Sequence, residues 1–184
     1  MKYFDVCLQK LRIRKVKPWI QPDAVVLDVG CFDGAMFREI GPKISFGFGM
    51  DPSLEKSVIT DRYELFPGEF PANLPSNRGP FDAITAMAVF EHIPSEKQRD
   101  FIEGCRRHLK TGGKVILTVP AAQVDIILNI LIRLRILDGI SFEEHHGFHP
   151  EETPKLFEQS GFELEYAGKF QLGLNNLFVL RKVE

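Results

Sequence analysis

The chain has 184 residues, 44% of them apolar and 26% charged, with a formal net charge of −2 at pH 7. That is enough chain for one domain with a sizeable core, and the acidic balance gives no global field pointing to nucleic acid. No run reaches the roughly 20 apolar residues of a membrane span; the nearest case, Val124 to Leu137, is interrupted by Asp125, Asn129, Arg133 and Arg135.

Residues 3–17 read as a helix, within an N-terminal segment 1–20, and Pro18 and Pro22 end it. Lys10, Arg12, Arg14, Lys15 and Lys17 interleave with Leu8, Leu11, Ile13 and Val16. They read as a solvated basic face, contact with an anionic partner being the alternative. Cys7, Cys31 and Cys105 form no CxxC pair, and "MKYFDVCLQK" carries no secretory leader. A reducing, cytoplasmic compartment is therefore expected.

Residues 24–29 read as a first strand, apolar enough to be buried on both faces. A short helix follows from Gly34 to about Ile40, and a second strand spans Ile44 to Met50. Residues 52–62 are ambiguous, and Phe66 to Pro80 is dense in Pro, Gly and Asn and reads as loop. "FDAITAM", Phe81 to Met87, is a strand. Ser95 and Gln98 have the spacing of a capping box opening a helix to about Leu109, which Gly112 and Gly113 stop. "KVILTV", Lys114 to Val119, is the next strand.

Val124–Leu137 has helical apolar spacing and lies in an insertion, 121–149. Pro150 to Gly161 is a last helix, and "FELEYAGKF" and "NNLFVLRKV" are strands. Their short linker allows an antiparallel pair but not a parallel crossover. The sum is one α/β domain, a doubly wound Rossmann-like sheet with an antiparallel strand added at its end.

In such sheets ligands sit beyond the carboxyl ends of the strands. There strand 1 delivers Asp28, Gly30 and Gly34, and strand 2 ends in Asp51, 21 residues after Gly30. An acid at that distance is placed to accept both hydroxyls of a ribose. The dinucleotide fingerprint needs a second glycine beside the pyrophosphate, and "GCFDG" lacks it. Asp28 and Asp33 would also repel phosphates. A phosphate-free, cationic adenosyl cofactor suits the acids better, and S-adenosylmethionine is one.

"VLDVGCFDG", "GMDPS", "FDAITAMAVFEHIP", "LKTGGKVILTVP" and "GFHPEETPKLFEQSGFELEYAGKF" occur in this order. They resemble the successive motifs of class I S-adenosylmethionine-dependent methyltransferases. The likeness is closest to the branch with "EHI" after strand 4, the small type-11 kind, similar to UbiE and UbiG. It covers residues 20 to 184. The resemblance implies a mostly parallel seven-stranded sheet and S-adenosyl-L-methionine as cofactor.

It also implies roles for particular residues. The turn Asp28, Gly30, Cys31, Phe32 and Gly34 would lie against the methionine part, its amides near the carboxylate. Asp51 and Pro52 would stand at the ribose, Glu69 and Phe70 would flank the adenine, and Met87 and Ala88 would line the sulfonium side. The family has Gly where this chain has Phe32. Singly, each residue has a structural explanation: Asp28 caps a turn, Asp51 caps a helix starting at Pro52, Cys31 is a small buried hydrophobe, and Gly47 and Gly49 relieve crowding.

His92 follows Glu91 just past strand 4, where a neutral imidazole is suited to take an acceptor's proton; packing within the "FEHIP" turn is the equal alternative. His145, His146 and His149 cluster with Glu143 and Glu144. Gly147 and Pro150 keep that segment irregular, so it reads as an acceptor-facing loop, with His145 a second catalytic candidate, rather than as a metal site. The insertion would cover the acceptor site. The acceptor is a small molecule or a glycan. Two other classes stand beside this reading: an NAD(P)-dependent oxidoreductase, and a cofactor-binding protein without chemistry.

Overall fold

The computed structural model describes residues 3–75, 77–121 and 149–183. The elements in chain order are α1 (Tyr3–Val16), β1 (Val25–Val29), α2 (Ala35–Ile40), β2 (Phe46–Asp51), β3 (Val58–Ile59), β4 (Tyr63–Pro67), β5 (Phe81–Met87), α3 (Ser95–His108), β6 (Leu109–Pro120), α4 (Thr153–Glu158), β7 (Phe162–Phe170) and β8 (Asn175–Lys182). Short 3-10 turns occupy Lys17–Trp19, Gly41–Lys43, Phe90–His92 and Pro150–Glu152.

Among the described residues eight strands form one sheet in the order β3-β4-β2-β1-β5-β6-β8-β7. β4, β2, β1, β5 and β6 run parallel. β8 is antiparallel to β6 and to β7, which it separates. The sheet has one strand more than expected, because the two-residue β3 pairs antiparallel with β4 at the edge.

Side chains alternate across the sheet, as its period of 2 requires. Leu27, Val29, Ile84 and Leu117 enter a core with Phe90, Phe101 and Phe157. Val26, Ala83 and Ile116 face the other way, onto Ile13, Val16, Met36 and Phe37. α1 and α2 thus cover one face and α3 and α4 the other. A Cβ on Gly47 would stand 2.4 Å from the Phe37 ring, and one on Gly49 2.5 Å from Leu65, so these two glycines admit their neighbours.

Several boundaries differ from the expectations. No capping box forms at α3: Pro94 is the N-cap, and the Gln98 amide donates to the Ile93 carbonyl at 3.2 Å. Gly112 and Gly113 do not stop that helix. It ends at His108, and the two glycines lie in β6 between its pairing at Leu109 and its regular register from Lys114. The helix expected over Pro150–Gly161 divides into a 3-10 turn and α4, Pro154 falling in the first turn of α4. The expected helix Val124–Leu137, with Glu143, Glu144, His145 and His146, lies outside the described residues.

Candidate active site

Register brings the carboxyl ends of the central strands level. Phe66, Met50, Val29, Ala86 and Leu117 form one row across β4, β2, β1, β5 and β6. The next residues are Pro67, Asp51, Gly30, Met87 and Thr118, so three of the expected site residues stand side by side on one edge.

β1 turns sharply at this edge. Gly30 and Gly34 both have φ 73°, and a Cβ on Gly30 would lie 2.3 Å from Val89 Cγ2. Phe32 takes φ 47° despite its side chain, and its ring is 49% exposed. This is the position where the family has Gly, and the left-handed backbone is the reason a glycine suits it. Phe32→Gly is expected to raise the thermal midpoint or leave it level, and Phe32→Val to lower it by about 1 kcal/mol of stability, since a β-branched residue is strained there. Thermal melts of the two variants check the turn; Val equal to Gly would contradict it.

Four amides of the turn are engaged, three with β2 and one within the turn. Gly30 and Cys31 donate to the Met50 carbonyl at 2.8 and 3.3 Å, Phe32 donates to Asp51 Oδ2 at 2.8 Å, and Gly34 donates to the Cys31 carbonyl at 2.8 Å. They form no open nest for a pyrophosphate, which weighs against the dinucleotide alternative. Cys31 points into the core, where burial pushes its thiol well above the usual range; it is a small buried hydrophobe.

Asp51 caps no helix: a turn follows, with Pro52 exposed. Its Oδ1 accepts from the Ser53 amide at 2.8 Å and the Ser53 hydroxyl at 2.6 Å. A carboxylate has about four lone-pair sites. One on Oδ2 is left over, and rotation of the Ser53 hydroxyl frees a second, which matches the two hydroxyls of a diol.

Asp28 is buried, and accepts a 2.6 Å bond from the Thr85 hydroxyl. Burial pushes its carboxyl up to about 7, with the charge of Asp51 adding to the rise and the Thr85 bond opposing it. Asp33, at the rim, pairs with Arg38 at 2.6 Å.

Glu69 and Phe70 begin the loop after β4, beside Asp51: the Gly68 amide donates to the Asp51 carbonyl at 3.3 Å. Glu69 is exposed, while Phe70 packs edge-on against Phe101 of α3 at 5.2 Å. Met87 and Ala88 are half-buried at the end of β5, Ala88 at φ 58° with its amide on the Thr118 carbonyl at 2.8 Å. His92 is exposed at the end of the following 3-10 turn. His149 is exposed and 4.0 Å from Glu151.

Three residues escaped the sequence reading. Thr85 fixes Asp28 and Ser53 fixes Asp51. Glu91 is buried, with Oε2 meeting no hydrogen-bond partner among the described residues. A threonine facing an acid across neighbouring strands, and an acid between Phe90 and His92, were the available signals.

Level strand ends, a glycine turn, a carboxylate on the next strand and a reversed last hairpin define a Rossmann-like domain with a nucleoside-binding edge. A methyltransferase domain family model matches residues 5–167. The chain belongs to this family, the class I S-adenosylmethionine-dependent methyltransferases.

The chain is 28% identical over 156 residues to the mitochondrial ubiquinone biosynthesis O-methyltransferase of Rattus norvegicus, a match covering 76% of this chain and 44% of that protein. It is 28% identical over 155 residues to the ubiquinone biosynthesis O-methyltransferase of Nitrosococcus oceani, covering 76% and 64%. The chain thus spans less than two thirds of these relatives. A methyltransferase structure from Bacillus halodurans superposes with TM-score 0.69 at 16% identity, covering 95% of this chain and 98% of that one. The magnesium protoporphyrin IX methyltransferase of Synechocystis, with S-adenosylhomocysteine bound, gives 0.68 at 14% identity, covering 95% and 83%.

S-adenosyl-L-methionine is the cofactor. The donor set fits it: Asp28, Asp51 and Asp33 gather at the turn, where the cation Arg38 is already paired with Asp33. Acids without open phosphate-binding amides suit a diol and two positive charges.

Proposed function

We propose that the chain methylates a hydroxyl of a small molecule held over the segment Met87–His92. The observation that carries this is the alignment of Gly30, Asp51 and Met87 on one sheet edge, with the Phe90–His92 turn directly beyond it. The relatives' names, which mention ubiquinone biosynthesis, favour a small-molecule O-acceptor over a glycan.

When bound, the cofactor supplies a methyl group on a sulfonium with a neutral leaving group. This chain supplies placement and charge. Asp51 holds the ribose diol, Glu69 and Phe70 flank the adenine, and Pro52 borders the ribose. Asp28 faces the cationic end, and Cys31, Phe32 and the two glycines shape the turn. Met87 and Ala88 line the side from which the methyl leaves. Holding both reactants in line contributes up to about 7–11 kcal/mol in favourable cases. His92 takes the acceptor's proton, with His145 as the second candidate, a contribution of typically ~10²–10⁴-fold.

Among the described residues no helix is long and apolar enough to cross a membrane. Cys7, Cys31 and Cys105 are free, which suits a reducing, cytoplasmic setting.

The test is a thermal-shift comparison of S-adenosylhomocysteine with NAD, followed by a mass-spectrometric screen of hydroquinones, alcohols and sugars with S-adenosylmethionine. A shift with S-adenosylhomocysteine alone and a 14-dalton gain on a hydroxyl compound are expected. Binding without any methylated product would instead identify a non-catalytic cofactor-binding protein.

A further inference from the structure

The β7–β8 turn stands at the carboxyl edge of the sheet, where β7 ends at Phe170 and β8 begins at Asn175, opposite Pro120 of β6. Its three tip residues are all left-handed: Gln171 at φ 52°, Leu172 at 58° and Gly173 at 86°. Two of them carry side chains that this backbone disfavours, where Asn or Gly would fit at less cost. The tip is held in place. Gly173 donates to the Phe170 carbonyl and Leu174 to the Gln171 carbonyl, both at 3.1 Å. The Gln171 side chain accepts from Asn175 and donates to the Leu8 carbonyl of α1 at 3.4 Å. What this held turn presents is Leu172, 102% exposed. A disfavoured backbone and a fully wetted leucine are two costs, and the leucine packs on nothing in the described fold that would offset them.

Leu172 has apolar company. Leu8 precedes Gln9, whose amide reaches Asp33 Oδ1 at 3.4 Å in the glycine turn. Phe32, beside Asp33, exposes 49% of its surface, and Leu11, further along α1, exposes 42%. Hydrogen bonds from Leu8 and Gln9 thus place the head of α1 between Leu172 on one side and Phe32 on the other. Apolar side chains scattered singly need no account, but a group at one edge does.

Cations accompany them. α1 descends from this edge: Gln9 lies at the glycine turn, and the Lys17 carbonyl accepts from Lys43, just before β2 begins. From Val6 to Val16 it carries Lys10, Arg12, Arg14 and Lys15 and no acid. Lys10, Arg14 and Lys15 are exposed and form no ion pair among the described residues. Arg14 lies about one 5.4 Å turn below Lys10. A charged surface acts over roughly 8 Å at physiological salt, so cations on both turns feel one laid on the edge.

We propose that this edge docks on an anionic lipid surface: Leu172, with Phe32 and Leu11 near it, enters the headgroup layer, and Lys10, Arg14 and Lys15 draw in its charge. A second copy is a poorer occupant, because two such faces would bring like charges together. The docked face carries the cofactor edge and turns it toward the lipid. The docking goes beyond the methyl-transfer reading and does not rest on it.

The experiment is co-sedimentation of the full chain with phosphatidylcholine vesicles, alone or with about a third phosphatidylglycerol. Wild type, Leu172→Asn and the triple variant Lys10→Gln, Arg14→Gln, Lys15→Gln are compared, with thermal midpoints and S-adenosylhomocysteine affinity alongside. Wild type is expected on the anionic vesicles, weakly on the neutral ones, and released as salt rises from about 0.1 M to about 0.5 M. Each cation near such a surface contributes about fivefold, so the triple variant should bind roughly 100-fold more weakly. Leu172→Asn should bind about tenfold more weakly, with its thermal midpoint level or higher and its S-adenosylhomocysteine affinity unchanged. That split is the signature of a side chain kept for docking, since a packing role would lower the midpoint instead. Equal binding to neutral and anionic vesicles, no binding at all, Leu172→Asn within twofold of wild type, or a lowered midpoint in that variant would overturn the proposal. Self-association that Leu172→Asn abolishes, seen by analytical ultracentrifugation, would assign the face to a second copy and overturn it too. None of these results touches the methyltransferase reading, which fails separately if wild type binds no S-adenosylhomocysteine.

Discussion

Asp28→Asn should make the protein more stable at pH 8 and bind its cofactor more weakly. The Asp28 carboxyl is fully buried, and burial raises it from 3.8 to about 7. In the unfolded chain it loses its proton near its ordinary value, so between about pH 4 and pH 7 only the folded state keeps that proton. Stability from this group is intact below about pH 4 and lost as pH rises through 7. At pH 8 the folded chain carries the whole penalty, about 4 kcal/mol at 1.36 kcal/mol per pKa unit. Asparagine keeps the shape and still accepts from Thr85, without the charge.

The expected result is a thermal midpoint roughly 10 °C higher than wild type at pH 8, with the difference fading near pH 4. Cofactor binding answers why the acid is there. A cationic ligand beside Asp28 favours its ionised form, so in wild type S-adenosylmethionine should release a proton on binding at pH 6. Calorimetry in two buffers of different ionisation enthalpy reads that proton. Asp28→Asn should release none from this site and bind at least tenfold more weakly. A variant no more stable at pH 8 and equal in affinity would contradict the placement of Asp28.

Asp51→Ala is expected to lower S-adenosylhomocysteine affinity by roughly 100-fold or more. Hydrogen bonds to a charged group contribute about 1.5–3 kcal/mol each, and the diol makes two. The substitution also removes the acceptor for the Phe32 amide and the partner of Ser53, so the glycine turn loses one of its ties to β2. Asp51→Asn, which keeps one acceptor oxygen, should fall between alanine and wild type. Isothermal titration gives the three affinities, and an alanine variant within threefold of wild type would sink the ribose assignment.

What the sequence makes legible follows its strongest physical signals. β5 and β7 occur with the boundaries read from "FDAITAM" and "FELEYAGKF". Each is an apolar or alternating run bounded by turn residues. β2 begins at Phe46 rather than Ile44 because the chain there still crosses toward β1: Ser45 donates to the Ala24 carbonyl at 2.9 Å. β3 was hidden because its two residues are exposed and depend on pairing with β4, not on burial of their own.

The site divides in the same way. Asp28, Gly30 and Asp51 could be read because strand ends and glycines mark where backbone turns. Phe32 departs from the Gly of the family, and the structure accommodates it by a left-handed backbone with the ring turned outward. Thr85 carries little signal of its own, since its hydrogen bond to Asp28 is set by the geometry of neighbouring strands, and Ser53 acts locally, in the turn just after Asp51. Glu91 shared its motif with His92, and only burial separates the one from the other.

A crystal structure of the chain with S-adenosylhomocysteine tests the central claim most directly. The nucleoside should lie across the carboxyl ends of β1 and β2, with both ribose hydroxyls within hydrogen-bond distance of Asp51 and the amino-acid portion against the Gly30–Gly34 turn. Density for the ligand elsewhere on the sheet, or a ribose with no contact to Asp51, would contradict it.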